Sequence, residues 1–230
     1  MAATAPSVAP AYVGTSGFSY PSWRGGFYPP AARPRDFLRL YAERLPSVEL
    51  NTTFYGLPSE EQFRVWADET PPEFRFAVKM SGQITHRGAL QLLATFTERV
   101  RALGDRLGPV LVQFPPSRPR DDGLLRLVLD SLDPRLAYAF EFRHESWDGG
   151  DVDEVLAAER VVRVNALAGA GPFRYFRLRE PPYADDALAA WAGRLRELLG
   201  AGVAIHCYFK HEEEPTAPRY ARRLLELMSS

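Results

Sequence analysis

The sequence predicts an α/β fold, a single (β/α)8 TIM-like barrel, on three observations. Eight short runs rich in β-branched and aromatic residues alternate with seven amphipathic helical stretches along the 230 residues. Parallel strands need a helical crossover, and about 29 residues per strand–helix unit suits a compact closed barrel. An open doubly wound sheet is the alternative, but the turn Gly14-Thr15-Ser16-Gly17 lacks the spacing of a nucleotide-binding loop.

The predicted elements follow one another in strict order. Strands are predicted at residues 12–18, 48–51, 74–80, 109–115, 137–144, 161–167, 173–179 and 203–211. Helices are predicted at residues 34–45, 59–70, 90–104, 122–132, 151–159, 184–199 and 217–228. Ser59 and Gln62 fit a capping box at the start of the second helix, and Gly200 and Gly202 stand where the sixth should stop.

The connection between the sixth and seventh strands is the weak place in this pattern. Residues 168–172 leave no room for a helix, so that crossover is degenerate or the strand assignment there is wrong. Residues 1–10 are predicted to form a flexible N-terminal tail, and residues 11–230 the barrel domain.

The composition excludes several classes of protein. Apolar residues make up 46% and charged residues 25%, as in a folded globular chain. The net charge of −1 argues against a globally basic nucleic-acid binder. One cysteine, Cys207, excludes an internal disulfide framework and a multi-thiolate zinc site. No bilayer-length apolar run or secretory signal is visible, so we expect a cytoplasmic protein without a membrane partner.

Strand alternation predicts which side chains face the barrel interior. On each strand the apolar set must pack on the helices, so the polar set faces inward. The inward polar residues are Glu49, Asn51, Arg75, Lys79, Gln113, Glu141, Arg143, Arg163, Asn165, Tyr175, Arg177, Arg179, His206, Tyr208 and Lys210. They cluster toward the C-terminal strand ends, where barrel enzymes place their active sites.

The charges of this upper ring do not balance. Two glutamates face five cations, which are Lys79, Arg143, Arg177, Arg179 and Lys210. Both lysines of the chain fall in the ring, whereas the other 26 basic residues are arginines. Because buried charges are costly unless paired, the surplus predicts an anionic ligand. The plain alternative is a structural network of ion pairs such as Glu49–Lys79 and Glu141–Arg143.

Several motifs in order resemble a known family. They are Gly14-Thr15-Ser16-Gly17-Phe18-Ser19-Tyr20 with Trp23, Val48-Glu49-Leu50-Asn51-Thr52-Thr53-Phe54-Tyr55, Phe74-Arg75-Phe76-Ala77-Val78-Lys79, Val112-Gln113-Phe114-Pro115-Pro116 and Glu141-Phe142-Arg143-His144 with Trp147. Over residues 11–228 the chain is similar to the YecE-like family, a domain of unknown function. The resemblance implies a TIM-like barrel related in shape to xylose isomerase and endonuclease IV, and no established reaction.

The chain departs from that family at three places. The segment between strands six and seven is shorter than usual. Strand seven ends Arg177-Leu178-Arg179-Glu180, where many members have an Arg-x-His-Gly type of ending. The late motif reads Tyr208-Phe209-Lys210-His211 instead of Tyr-Phe-Asn-Asn. Roles known for the last two places in other members therefore do not transfer to this chain.

The leading hypothesis is a protein that binds, or acts without a metal on, a phosphorylated ligand. Arg143, Arg177 and Arg179 would hold the anion, because guanidinium groups suit bidentate oxyanion binding. Glu49 or Glu141 would act as general acid or base. Lys79 would stabilise an oxyanion or form a Schiff base. Further ligand contacts are predicted for Tyr20, Trp23, Asn51, Tyr55, His86, Gln113, His144, Trp147, Tyr208 and Lys210.

Two other activities remain open alternatives. The two glutamates with aromatic platforms at Tyr20, Trp23, Tyr55 and Trp147 are compatible with glycoside hydrolysis. Arginines interleaved with aromatic residues around a basic mouth are compatible with nucleic-acid binding. No cofactor or metal is predicted, because His86, His144 and His211 lack metal-ligand spacing and more often form hydrogen bonds at loop starts.

Overall fold

A computed structural model describes residues 9–169 and 171–229 of the chain. The strands are β1 (Ala11–Ser16), β2 (Ser47–Leu50), β3 (Arg75–Lys79), β4 (Leu107–Phe114), β5 (Tyr138–Phe142), β6 (Val162–Arg163), β7 (Phe173–Leu178) and β8 (Ala204–Phe209). The helices are α1 (Phe37–Ala42), α2 (Thr52–Tyr55), α3 (Glu60–Asp68), α4 (Gly82–Thr85), α5 (Leu93–Val100), α6 (Asp122–Ser131), α7 (Gly150–Ala158), α8 (Asp185–Gly200) and α9 (Thr216–Ser229).

The eight strands form one parallel sheet that curves into a nearly closed barrel. Its order is β6-β5-β4-β3-β2-β1-β8-β7, so β1 pairs with both β2 and β8. The register places Glu49 of β2 opposite Ala77 of β3, and Gln113 of β4 opposite Glu141 of β5. The fold is therefore the predicted (β/α)8 TIM-like barrel.

Asn165 connects β6 to β7 with hydrogen bonds from both its backbone and its side chain. We call this junction, formed by Asn165 with Tyr175 and Arg177, the seam. The backbone N–H of Asn165 donates to the Tyr175 carbonyl at 2.9 Å. Its side-chain oxygen accepts from the Arg177 N–H at 2.7 Å, and its Nδ2 donates to the Arg177 carbonyl at 3.4 Å. The Asn165 amide thus takes the place of a peptide group in a strand ladder.

The connection from β6 to β7 is short, as the sequence predicts, but β6 itself ends early. Instead of residues 161–167 it covers Val162–Arg163, because Asn165 has a φ of 65°, which ends extended geometry. Arg174 of β7 is buried and donates to the carbonyls of Leu167, Gly169, Gly171 and Phe173. One guanidinium therefore satisfies loop carbonyls that a crossover helix would otherwise have paired.

Two apolar clusters form the core. The larger lies between strands and helices and includes Cys207, which is fully buried. The smaller fills the barrel interior and contains Ala77, Leu111, Ala139, Val162, Val164, Phe173, Tyr175 and Tyr208. Ala77 of β3 belongs to the inner cluster and its neighbours Phe76 and Val78 to the outer one, as strand alternation requires.

Some predicted helices are shorter or interrupted. The first begins with a 3-10 turn at Pro34–Asp36 before α1, and α5 is flanked by 3-10 segments. Gly104, with a φ of 57°, breaks the segment after α5. The sequence did not predict α2 and α4, the single-turn helices that directly follow β2 and β3. They carry residues from the strand ends over the mouth of the barrel.

The predicted N-terminal tail, residues 1–10, lies mostly outside the described residues, which begin at residue 9. The Pro10 carbonyl accepts a hydrogen bond of 2.9 Å from the N–H of Ile205, so residue 10 is attached to β8. No helix within residues 9–169 and 171–229 combines the length and the apolar character needed to cross a membrane.

Candidate functional site

A network of three charged side chains lies at the bottom of the C-terminal mouth of the barrel. It consists of Glu49, Glu141 and Arg177, and we call it the floor. Glu49 is fully buried and accepts hydrogen bonds from Tyr175 Oη at 2.7 Å, Arg177 Nη2 at 2.9 Å and Asn51 Nδ2 at 3.1 Å. Burial alone would raise the pKa of Glu49, but the Arg177 charge and these donors hold it below its ordinary value. Glu49 is therefore a fixed anion.

Arg177 connects the two glutamates. Its Nη2 bonds Glu49 and its Nη1 bonds Glu141 Oε2 at 2.6 Å, while its Nε is buried without a hydrogen-bond partner in the described part of the chain. Glu141 also accepts from Gln113 Nε2 and, at 3.2 Å, from Arg179 Nη1. Each carboxylate is thus bound by at least one arginine.

The ion pairs differ from those suggested by the sequence. Glu49 does not pair with Lys79, nor Glu141 with Arg143; Arg177 takes both carboxylates. The forked, planar guanidinium of Arg177 reaches both acids across the barrel, which a point-charge ammonium cannot do. The pKa of Glu49 is lowered, whereas the general acid of a glycoside hydrolase has a raised pKa, so Glu49 does not fit that role.

Above the floor stand three cations without an acid partner within 4 Å among the described residues: Lys79, Arg143 and Lys210, which we call the rim. Lys79 Nζ lies 3.9 Å from the centroid of the Phe54 ring. Burial, with the charge of Arg177, lowers the pKa of Lys79 to about 8. Burial and the charge of Arg179 also lower the pKa of Arg143. The rim therefore carries positive charge that the protein itself leaves uncompensated.

A cavity of about 650 Å³ opens beside Glu141 and Arg177 of the floor and Arg143 and Lys210 of the rim; Glu49 and Lys79 are not among the residues that line it. Its charged lining residues are Glu141, Arg143, Arg163, Arg177, Arg179, Glu180 and Lys210, so cations outnumber carboxylates. Arg163 is paired with Asp153 at 2.5 Å, which leaves Arg143, Arg179 and Lys210 as the cations that could meet a ligand. The cavity wall is completed by apolar groups such as Tyr183 and Trp191.

Four aromatic residues predicted for ligand binding have different positions. Tyr55 is 84% exposed, and Tyr20 is partly buried, donating to the Ser16 carbonyl at 2.8 Å and stacking on His211. Trp23 and Trp147, by contrast, are fully buried. Their indole N–H groups donate to the carbonyls of Glu212 and Arg118, both at 3.1 Å. Both tryptophans are therefore packed in the core, where each holds a loop, and neither forms the aromatic platform that the sequence predicts.

The remaining predicted residues are also distributed unevenly. Tyr208 lies deep in the barrel, with Oη 2.7 Å from Ser47 Oγ, below the level of the mouth. His144 accepts from the Ser146 N–H at 3.2 Å, and His86 Nδ1 is 2.9 Å from Thr85 Oγ1. His144 thus makes a local loop contact, whereas His86 also packs edge-on against the Phe54 ring that Lys79 contacts, with the ring centroids 4.8 Å apart.

Tyr20 and Asn51 border a second cavity of about 460 Å³, next to Phe18 and Trp66. Its lining includes residues of α1 and α3, such as Leu38 and Gln62, and none of the three rim residues. Within residues 9–169 and 171–229, no three His, Cys, Asp or Glu side chains come together in a way that could hold a metal ion.

Two residues of the mouth were not among the predicted site residues. Strand alternation places Tyr175 on the inward face of β7, but it does not identify this tyrosine as a hydrogen-bond donor to Glu49. Phe54, which contacts the Lys79 amine, stands on α2, a helix without a sequence signal. Its contact depends on the chain reversal after β2, which no local pattern reports.

The fold and the mouth together define a TIM-like barrel protein with a polar interior that opens at the C-terminal strand ends. A family model described as "Protein of unknown function DUF72" matches residues 12–230. The chain therefore belongs to the DUF72 family, and the resemblance seen in its motifs is confirmed.

Relatives and solved structures agree with this assignment. The chain is similar to UPF0759 protein YecE of Escherichia coli K12, with 34% identity over 139 residues, 58% of this chain and 48% of the relative. It is 27% identical to UPF0759 protein YunF of Bacillus subtilis 168 over 149 residues, 59% of this chain and 51% of the relative. The alignments thus span about half the length of the curated relatives.

Two crystal structures share the architecture. A DUF72 family protein of Thermotoga maritima MSB8 superposes with a TM-score of 0.81 at 26% identity, covering 96% of this chain and all of the other. A DUF72 family protein of Enterococcus faecalis V583 gives a TM-score of 0.83 at 18% identity, covering 96% of each chain. The second likeness speaks for the fold alone.

Proposed function

We propose that the protein binds a small phosphate-bearing ligand at the C-terminal mouth of the barrel. The observation that carries this proposal is the rim: Arg143 and Lys210 line a cavity and have no acid partner within 4 Å in the described part of the chain. A phosphate group would supply the missing negative charge and up to three acceptor oxygens.

The floor supports the proposal by holding the arginines in place. Arg179 is oriented by Glu141, so its guanidinium keeps a fixed direction beside the cavity. Arg177 is neutralised by the two glutamates and acts as a support. Glu141, whose side chain is 12% exposed, lines the same cavity and is the carboxylate placed to exchange protons with a bound ligand.

Titration calorimetry with inorganic phosphate, glycerol phosphate and adenosine monophosphate tests the proposal. Arg143→Gln and Lys210→Gln should each weaken binding about tenfold, the effect of losing a charge-assisted hydrogen bond. Arg196→Gln, which removes an exposed arginine from α8, is the matched control and should leave the affinity unchanged.

Two results would contradict the proposal. One is the absence of binding by every small phosphate. The other is tight binding of a single-stranded oligonucleotide that small phosphates fail to displace and that weakens steeply with salt, which would favour a nucleic-acid binder.

A further inference from the structure

Lys79 occupies a distinctive position in the mouth. It is one of two lysines in the chain and stands at the C-terminal end of β3. Ala77, two residues earlier, faces the barrel interior, so Lys79 faces the interior one layer higher. Its ammonium contacts the face of Phe54 at 3.9 Å and has no carboxylate within 4 Å among the described residues.

Burial lowers the pKa of the Lys79 amine, and the charges around it act in both directions. Burial is the main cause of the lowered pKa, to about 8, and the positive charge of Arg177 adds to it. Glu49 and Glu141 act in the opposite direction but are bound by arginine, and Arg179 lowers the pKa further. A desolvated amine beside another cation is the arrangement that makes a lysine nucleophilic near neutral pH.

Lys210 provides the contrast inside the same mouth. It is exposed and follows the end of β8, where its side chain borders the cavity. A lysine that served only to attract phosphate would need no more than this exposed position. Lys79 is half-buried with its amine against an aromatic ring, so the amine is less hydrated than that of Lys210, and anion binding alone does not require this.

We propose that Lys79 forms an imine with the carbonyl carbon of a phosphorylated aldehyde or ketone. This inference rests on the proposed function, because the rim cations would hold the phosphate while the amine attacks. The Nζ lone pair forms the C–N bond and the carbonyl oxygen takes a proton. The resulting carbinolamine then loses its hydroxyl group with another proton as water, so that amine and carbonyl give imine and water.

Borohydride trapping on the intact protein tests the inference. The probes are glycolaldehyde phosphate and, as the uncharged match, glycolaldehyde; sodium borohydride reduces any imine by hydride addition to its carbon. Peptide mass spectrometry separates adducts at Lys79 and Lys210, so each lysine is the internal reference for the other. We expect glycolaldehyde phosphate to label Lys79 at least tenfold faster than Lys210.

Two further arms connect the labelling to the phosphate site. Inorganic phosphate should slow labelling of Lys79 by glycolaldehyde phosphate but not by glycolaldehyde. Arg143→Gln should slow it severalfold for the phosphorylated probe alone, whereas Arg196→Gln should have no effect. A thermal melt of each variant verifies that it is folded. If a variant is unfolded, the ratio of the labelling rates of Lys79 and Lys210 in the wild-type protein still decides the test.

The outcomes separate the two proposals. Equal labelling of Lys79 and Lys210 overturns the imine, even if calorimetry shows phosphate binding. Selective labelling of Lys79 by both probes, without competition by phosphate, supports the reactive amine but overturns the phosphate site and with it the phosphorylated substrate class.

Discussion

The two ends of the barrel both place basic side chains against aromatic rings, but they handle charge differently. At the N-terminal end, Arg75 lies over the Tyr12 ring at 5.5 Å, and His206 stacks on the same ring at 4.9 Å. Nη1 of Arg75 donates to the carbonyls of Pro72 and Phe74, so the donors of this nitrogen are used within the fold. At the C-terminal mouth the rim retains unused donors beside a cavity. A basic residue in a barrel therefore indicates a ligand only where its charge and donors remain available.

The largest effect should come from breaking the floor. Glu49→Gln removes one of the two carboxylates that neutralise buried Arg177, and we expect a loss of about 3 kcal/mol in the free energy of unfolding. Urea denaturation measures it, with Glu213→Gln, which removes an exposed carboxylate, as control. A loss below about 1 kcal/mol would mean that the floor does not hold the mouth together.

The N-terminal end should respond to pH. Burial, helped by the charge of Arg75, lowers the pKa of His206 to about 3 from an ordinary value of 6.5. The unfolded chain therefore binds a proton that the folded chain does not, so stability rises with pH between about 3 and 6.5. From pH 7 to pH 5 this residue should account for a loss of about 2 kcal/mol. Urea denaturation of His206→Gln should show a smaller loss in the free energy of unfolding over that pH range than the wild-type protein shows. An equal loss would mean that His206 does not cause the pH dependence.

The seam in the wall between the two ends should give an intermediate effect. Asn165→Ala removes both side-chain hydrogen bonds and keeps a β-carbon at a φ of 65°, whereas Asn165→Gly removes the bonds and also the β-carbon that is strained at this φ. The glycine variant should be more stable than the alanine variant by about 1 kcal/mol. In both variants the amide proton of Arg177 should exchange faster with solvent. Unchanged exchange would show that the side chain does not close the ring.

The rim should give the smallest change in stability. Because Arg143 has no acid partner within 4 Å in the described part of the chain, Arg143→Gln should alter the free energy of unfolding by less than about 0.5 kcal/mol. Urea denaturation of Arg143→Gln and Glu49→Gln under the same conditions compares the losses in the free energy of unfolding caused by a rim and a floor substitution. A loss as large as that of Glu49→Gln would place Arg143 in the structural network.

Strand alternation explains why much of the mouth could be predicted from sequence. It assigned Glu49, Glu141 and Arg177 to the interior because the opposite faces are apolar. It could not assign their partners, since it gives the face of a residue but not how far a long side chain reaches. The burial of Trp23 and Trp147 could not be predicted, because it depends on hydrogen bonds to carbonyls 189 and 29 residues away in the chain, which no local pattern reports.

The short connection from β6 to β7 also constrains chain length. Surface loops usually accept insertions, but here the carbonyls of Leu167, Gly169 and Gly171 converge on the buried Arg174 guanidinium. An added residue would move those carbonyls away and leave the arginine without most of its acceptors. The size of this loop is therefore set by a single side chain, and a relative with a longer crossover must also replace that arginine.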